Sequence, residues 1–460
     1  MKYSFVNFLR SHKIIFILLF FSFLLFNFNS QFHIKNFNKY FFYDDGTSYH
    51  GIIRTPPEIK IWKKSYEFKE DSSLENWQDE EFRWHFLPSK NLAFIGKIMN
   101  MNFYDENNNY DLTGIIFFFI FQTFIYYSAV IYFYNKLLNL NIRREITYIV
   151  CFFLLFEPTI NQWNTTIFGE TIFFALIIFI FSFLIDLPKE NYKYIFFGIL
   201  LGICYLQRSV AMFLIIVPLI VIFIKFKKKS TLKIINTFLS YLIILMLIGL
   251  LNYNRSNIFY FLPTQTIDNL YNYFLPKVEQ KRLNISSKKS LKILSDKNDI
   301  LINEHNLDLK KEEDRIKLYN LQRNIAVEIL LNNKIITIEK AFKSYLHSTL
   351  LNPVEVLNTR IKGREYYKSK LHKKFIKYRI IYSALIFGIV FLGFIYAIKK
   401  KIFFPHIILA CGIYFFIISG WVGYTRYFIP TFLSFCVYFA YGLLFIFNKI
   451  TSYKFNKITI

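Results

Sequence analysis

Long, almost uncharged apolar runs dominate this chain. They fall at residues 14–28, 112–134, 146–160, 168–185, 194–206, 210–224, 234–251, 380–398, 402–419 and 428–447. Neither strand alternation nor a one-faced helical period runs through them, which is how helices surrounded by lipid or by one another read. A soluble chain has no need of 54% hydrophobic and 21% aromatic residues. The expected fold class is therefore an all-α polytopic membrane protein with about ten transmembrane helices. Several runs are shorter than the ~20 residues of a straight span, a mismatch that bilayer thinning or burial among other helices absorbs. The bias towards Lys, Ile, Asn and Phe extends into the loops, so Asn-rich stretches carry no functional weight.

The net charge of +25 raises the possibility of a nucleic-acid partner. Its placement argues for membrane lipids instead and for no nucleic acid. The cations gather at the ends of apolar runs, and no zinc-finger or RNA-recognition signature accompanies them. With the N-terminus in the cytoplasm, one side collects Lys136, Arg143 and Arg144; Lys189 and Lys193; Lys225, Lys227, Lys228, Lys229 and Lys233; and Lys399, Lys400 and Lys401. The tail adds Lys449, Lys454 and Lys457, while the short turns on the opposite side hold chiefly Arg208 and Arg426. The positive-inside rule then places both termini in the cytoplasm of a multi-pass inner (plasma) membrane protein. The run at 14–28, preceded by Lys2, Arg10 and Lys13, lacks a small-x-small cleavage pattern after it and reads as an uncleaved signal anchor.

Three regions follow. Residues 1–251 form a transmembrane module that includes an outer loop at 31–111. Residues 252–378 form an outer, partly helical segment, and 379–460 carry the last transmembrane helices. Within 314–357 apolar residues recur at helical spacing (Ile316, Leu318, Leu321, Ile325, then Ile336, Phe342, Tyr345 and Leu346), which predicts amphipathic helices on the bundle or on the membrane surface. The four cysteines, Cys151, Cys204, Cys411 and Cys436, all fall in apolar runs and read as buried thiols, with no disulfide framework or metal cluster.

The first outer segment opens with Asp44-Asp45-Gly46-Thr47-Ser48-Tyr49-His50. Asp-Asp-Gly is ordinary turn chemistry. A carboxylate at a membrane face can also act as a general base towards an acceptor hydroxyl, or hold a divalent cation against a phosphate. No cofactor beyond such a cation is called for. His50 and His85 belong to no metal-ligand set, so no metal site is assigned. Glu170 opens a helix, where a carboxylate suits the dipole as well as it suits catalysis. Glu157, beside Pro158, reads as an interfacial residue. Arg208 and Arg426 are either snorkelling cations or phosphate contacts, since a cation in a short turn between apolar runs is costly. Gly198 and Gly202 form GxxxG, which points to close helix packing. Trp62, Trp84 and Trp163 mark the membrane interface or stack on a sugar.

Asp45 through His50 resembles the Asp-x-x-x-Tyr-His stretch in the first outer loop of GT-C superfamily membrane glycosyltransferases, bacterial relatives of the dolichyl-phosphate-mannose protein mannosyltransferases. Four more stretches resemble that family in order: Glu157-Pro158 through Trp163 to Gly169-Glu170; Gly198 to Gly202 with Leu206-Gln207-Arg208; Asn252-Tyr253-Asn254-Arg255 with Asp268-Asn269-Leu270-Tyr271; and Gly423-Tyr424-Thr425-Arg426-Tyr427-Phe428-Ile429-Pro430. Where the family often has Pro-Pro-Gly-Tyr-Pro in the first outer loop, this chain has Arg54-Thr55-Pro56-Pro57.

The resemblance implies a GT-C-like fold and transfer of a hexosyl or pentosyl group from a polyprenyl-phosphate sugar donor to a glycan, lipid or protein acceptor. It assigns Asp45 as catalytic, with Asp44 and Glu170 as further catalytic candidates. Tyr49, His50, Arg208, Arg255 and Arg426 become the substrate-binding candidates. The competing class is a transporter or flippase for a lipid-linked glycan precursor, which is expected to show internal repeats and broken helices. A third is a scaffold for envelope assembly.

Overall fold

The computed structural model describes residues 13–41, 112–161, 163–164, 170–261, 267, 269–309, 311–350, 370–419 and 425–458; for Arg255 and Arg426 it describes the backbone alone. Among the described residues all regular structure is helical. In chain order the helices are α1 (Lys13–Phe41), α2 (Leu112–Asn139), α3 (Arg144–Phe156), α4 (Pro158–Asn161), α5 (Glu170–Ile185), α6 (Lys193–Gln207), α7 (Ile216–Phe226) and α8 (Thr231–Ser256). There follow α9 (Leu275–Arg282), α10 (Ser287–Glu304), α11 (Glu312–Asn332), α12 (Lys334–Leu350), α13 (Lys370–Lys399), α14 (Phe404–Ser419), α15 (Thr425–Leu433) and α16 (Cys436–Ile458).

Among the described residues, three stretches are long and apolar enough to cross a membrane: Ile116–Asn139, Ser209–Asn254 and Ile380–Lys399. Shorter apolar helices stand at Lys13–Asn27, Glu170–Ile185, Lys193–Gln207, Phe404–Ile418 and Cys436–Lys449. Ser209–Asn254 is not a single rod. It opens with a 3-10 segment, Ser209–Ile215, and is interrupted at Lys227, whose φ of 47° turns the chain so that α7 packs against α8. Helix α1 continues past its apolar run to Phe41, because nothing between Ile14 and Gly46 is a Gly or Pro that would stop it.

Contacts along the helices give their relative directions. Gly198 faces Thr237 and Ser240, and Gly202 faces Ile244, so α6 and α8 run in parallel. The glycines permit that approach: a Cβ at Gly198 would collide with the Thr237 carbonyl, and one at Gly202 would lie 2.8 Å from the Ile244 side chain. α2 and α5 also run in parallel, joined at one end by Gln122 Nε2 donating to the Asn164 carbonyl (2.7 Å) and at the other by the Lys136–Asp186 ion pair (2.7 Å).

The two ends of the bundle therefore differ in chemistry. One gathers Lys136, Lys189, Lys225 and Lys233; Lys233 sits 4.9 Å from the centre of the Tyr194 ring and bonds Asn191. The other holds Asn164, Glu170 and the end of α6. The shared core is aromatic, with Phe153 stacked on Phe432 and Phe173 edge-on to Phe415. All four cysteines are buried free thiols within it.

Between α8 and α13 the chain builds a small separate core from Tyr271, Leu275, Leu294 and Ala326. Tyr271 Oη donates to the Leu294 carbonyl at 3.2 Å and ties the π-helical segment Asn269–Phe274 to α10. Of the amphipathic helices expected here, the first set of apolar residues falls in α11, where Ile325, Ile329 and Leu330 pack on this core, and the second falls in α12. It docks through Tyr345, whose hydroxyl donates to the Ile417 carbonyl (2.7 Å) and whose ring lies 4.7 Å from that of Phe416. Its outward stripe of Ile335, Ile338, Phe342 and Leu346 stays exposed.

Candidate active site

Helix α6 ends at Gln207 because Arg208 leaves the helical region for extended backbone (φ −152°, ψ 117°), its N–H still closing the last turn on Cys204. That change of direction brings the Arg208 side chain onto Glu170, the first residue of α5. The guanidinium donates to Glu170 Oε1, and the two side chains are only 5% and 4% exposed. Glu170 Oε2 is buried with no hydrogen-bond partner among the described residues. The carboxylate thus has one oxygen committed to Arg208 and one able to accept a bond from a hydroxyl. Charge burial of this kind persists only because the partners neutralise each other. Removing one leaves an uncompensated charge at about 3–5 kcal/mol.

A second carboxylate is buried in the stretch between α3 and α5. Glu157 interrupts the chain between α3 and α4 and is 5% exposed. Tyr382 Oη donates to its Oε1 at 2.9 Å, and the Ile160 N–H donates to its Oε2 at 3.0 Å. Asn161 Nδ2 donates to the Glu157 carbonyl, and Asn164 Nδ2 to Asn161 Oδ1, each at 3.1 Å. Both carboxylate oxygens of Glu157 are engaged, so it holds α13 to the turn between α3 and α5. Trp163 is buried beneath this turn rather than set at a lipid boundary.

The arginine-bearing helix ends come to the same region. α15, whose second residue is Arg426, packs against both α4 and α5. Because α6 and α8 run in parallel, the last turn of α8, which carries Arg255, lies at the same end of the bundle as Arg208. The Glu170–Arg208 pair and the helix ends that carry Arg255 and Arg426 thus lie at the end opposite the lysines. Asp44, Asp45, Tyr49 and His50 lie outside the described residues, as do Trp62 and Trp84. Among the described residues no three His, Cys, Asp or Glu side chains come together as a metal-binding group.

Two features were not foreseen from sequence. Glu170 and Arg208, considered separately as catalytic and phosphate-binding candidates, are partners of each other. Glu157 is not an interfacial bystander but a buried anchor whose phenol partner, Tyr382, gives no sign of its role in a chain with 33 tyrosines. Gln122 did leave a sign, as a lone amide within an apolar run, and it bonds the Asn164 turn. Comparison of the chain with protein-family models, with curated proteins and with solved structures returned no match.

Proposed function

We propose that the chain is an integral membrane glycosyltransferase of GT-C type. It crosses the inner membrane about ten times with both termini in the cytoplasm, and it moves a sugar from a polyprenyl-phosphate donor to an envelope acceptor at the outer face. The observation that carries this reading is the assembly of the buried Glu170–Arg208 pair with the helix ends bearing Arg255 and Arg426, at the end of the bundle remote from the lysines.

In this reading the prenyl chain lies in the bilayer and the donor phosphate rests among the arginine turns. Arg426 and Arg255 supply the charge that the leaving phosphate needs, since Arg208 is already balanced by Glu170. Glu170, with one oxygen open, accepts a hydroxyl of the sugar or acceptor and fixes its orientation. Asp45 takes the acceptor proton as the new C1–O bond forms. The C1–O bond to phosphate breaks, and its electron pair leaves with the prenyl phosphate. Tyr49 and His50 are assigned to substrate binding in this reading, and Asp44 is a further catalytic candidate. Purified protein offered a polyprenyl-phosphate sugar and a nucleotide sugar tests this: transfer from the lipid donor alone is expected, and efficient transfer from the nucleotide donor overturns it.

One observation favours the flippase alternative. The last apolar run is broken at Ser434 and Phe435, between α15 and α16, and broken helices are a device of transporters. Movement of a lipid-linked glycan across proteoliposomes without sugar transfer would establish that reading instead.

A further inference from the structure

At the lysine-rich end a pocket of about 540 Å³ opens between the turn after α2, the turn after α13 and the middle of α16. Its walls are of two kinds. Arg143 and Lys400 are its cations, while Ile146, Ile185, Phe404 and Tyr441 give it an apolar flank.

The two turns are built alike. Asn141 (φ 57°) lets the Ile142 N–H reach the Leu137 carbonyl at 3.2 Å, and Lys401 (φ 56°) lets the Ile402 N–H reach the Ala397 carbonyl at 2.9 Å. In each case the chain satisfies its own terminal carbonyls through a left-handed cap. The cations beside the caps are therefore not consumed by them. Among the described residues, neither the Arg143 nor the Lys400 side chain has a hydrogen-bond or ion-pair partner. Of the acids nearby, Asp186 follows the lining residue Ile185 but is held by Lys136 at 2.7 Å. Glu145, in the first turn of α3, is exposed and is outnumbered by Arg143, Arg144, Lys399, Lys400 and Lys401 in the two turns.

We infer that this pocket seats the headgroup of an anionic phospholipid from the leaflet at the lysine-rich end. The phosphate lies between Arg143 and Lys400, and an acyl chain runs along Ile146, Ile185 and Phe404. A basic recess between helix ends at a membrane surface suits such a headgroup. A lipid rather than free phosphate fits because the apolar flank continues outward into Ile398 and Phe403, which are 51% and 65% exposed and which acyl chains would cover.

The full chain, purified in detergent, is melted with added phosphatidylglycerol, phosphatidylcholine or inorganic phosphate. Lipids retained are counted by native mass spectrometry. Phosphatidylglycerol is expected to raise the melting temperature and to be retained, and the other two are not. Arg143→Gln with Lys400→Gln should lose most of the shift and the retained lipid. Lys228→Gln with Lys229→Gln, which removes the same charge at the same end but away from the pocket, should keep both. Equal losses in the two double variants, or an undiminished shift in the pocket variant, overturn the inference. An equal shift from inorganic phosphate overturns the assignment to lipid. The two pocket cations are exposed, so the variant's lipid-free melting should match the parent's; if the double variant does not fold, Lys400→Gln alone decides.

Discussion

Arg208 at the end of α6 and Glu170 at the start of α5 form an ion pair sealed from solvent, 38 residues apart in sequence. Glu170→Gln or Arg208→Gln alone strands the other charge in an apolar surround. Each should cost on the order of 3–5 kcal/mol, and the double change should cost less than the sum of the two. Thermal unfolding of the four proteins forms the cycle; additive losses would show that the pair does not couple.

The GxxxG glycines should respond unequally. Gly198→Ala drives a methyl into the Thr237 carbonyl, which is backbone and cannot swing aside, whereas Gly202→Ala meets the Ile244 side chain. A loss of about 1–3 kcal/mol is expected at Gly198, and a smaller one at Gly202. Gly388, with nothing within 4 Å of a new methyl, should tolerate Ala or gain up to ~1 kcal/mol from helix propensity. Melting temperatures of the three variants check the order.

How much could be read in advance follows from the range over which each signal acts. The GxxxG contact, the buried cysteines and the docked α12 are local patterns that took the expected form; the apolar runs became helical, but 146–160 is interrupted at Glu157 and 210–224 opens as a 3-10 segment. The Glu157–Tyr382 bond spans 225 residues and depends on how α13 leans on the turn after α3, which no spacing encodes. The Glu170–Arg208 pair was half legible: two opposite charges at the mouths of neighbouring runs were visible, but their meeting depends on Arg208 leaving the helix. The break in the last run at Ser434 and Phe435 was only faintly marked, by Pro430 and Ser434, neither of which by itself ends a helix among other helices.

The helical segment between α8 and α13 should gain stability in alkali. Burial, and then the neighbouring Lys340, hold the Lys277 ammonium below its ordinary value; burial, Lys343 and Lys281 do the same to Lys340. A lysine whose folded value is depressed binds its proton less well in the native state. The penalty is full below the folded value and is relieved as pH rises from the folded value to the unfolded one. Lys277→Met should raise the melting temperature at pH 7 and shrink the gain between pH 7 and pH 10, read as the difference between parent and variant melts.

In the proposed topology the lysine-rich end faces the cytoplasm. Reporter fusions at Lys228 and Lys400 should read cytoplasmic, and one at Ser287 should read outside. A cytoplasmic readout at Ser287 would put the arginine turns in the wrong compartment for a lipid-phosphate donor.

The central claim is sugar transfer with Asp45 as base, and Asp45→Asn tests it most directly. Asn keeps the size of the side chain but cannot accept the proton, so with a polyprenyl-phosphate sugar and envelope acceptors the initial rate should fall by ~10² to 10⁴. Asp44→Asn should fall less, and because Asp-Asp-Gly is ordinary turn sequence either change should cost little stability. A rate in the Asp45→Asn protein equal to the parent's, at equal amounts of folded protein, would contradict the account.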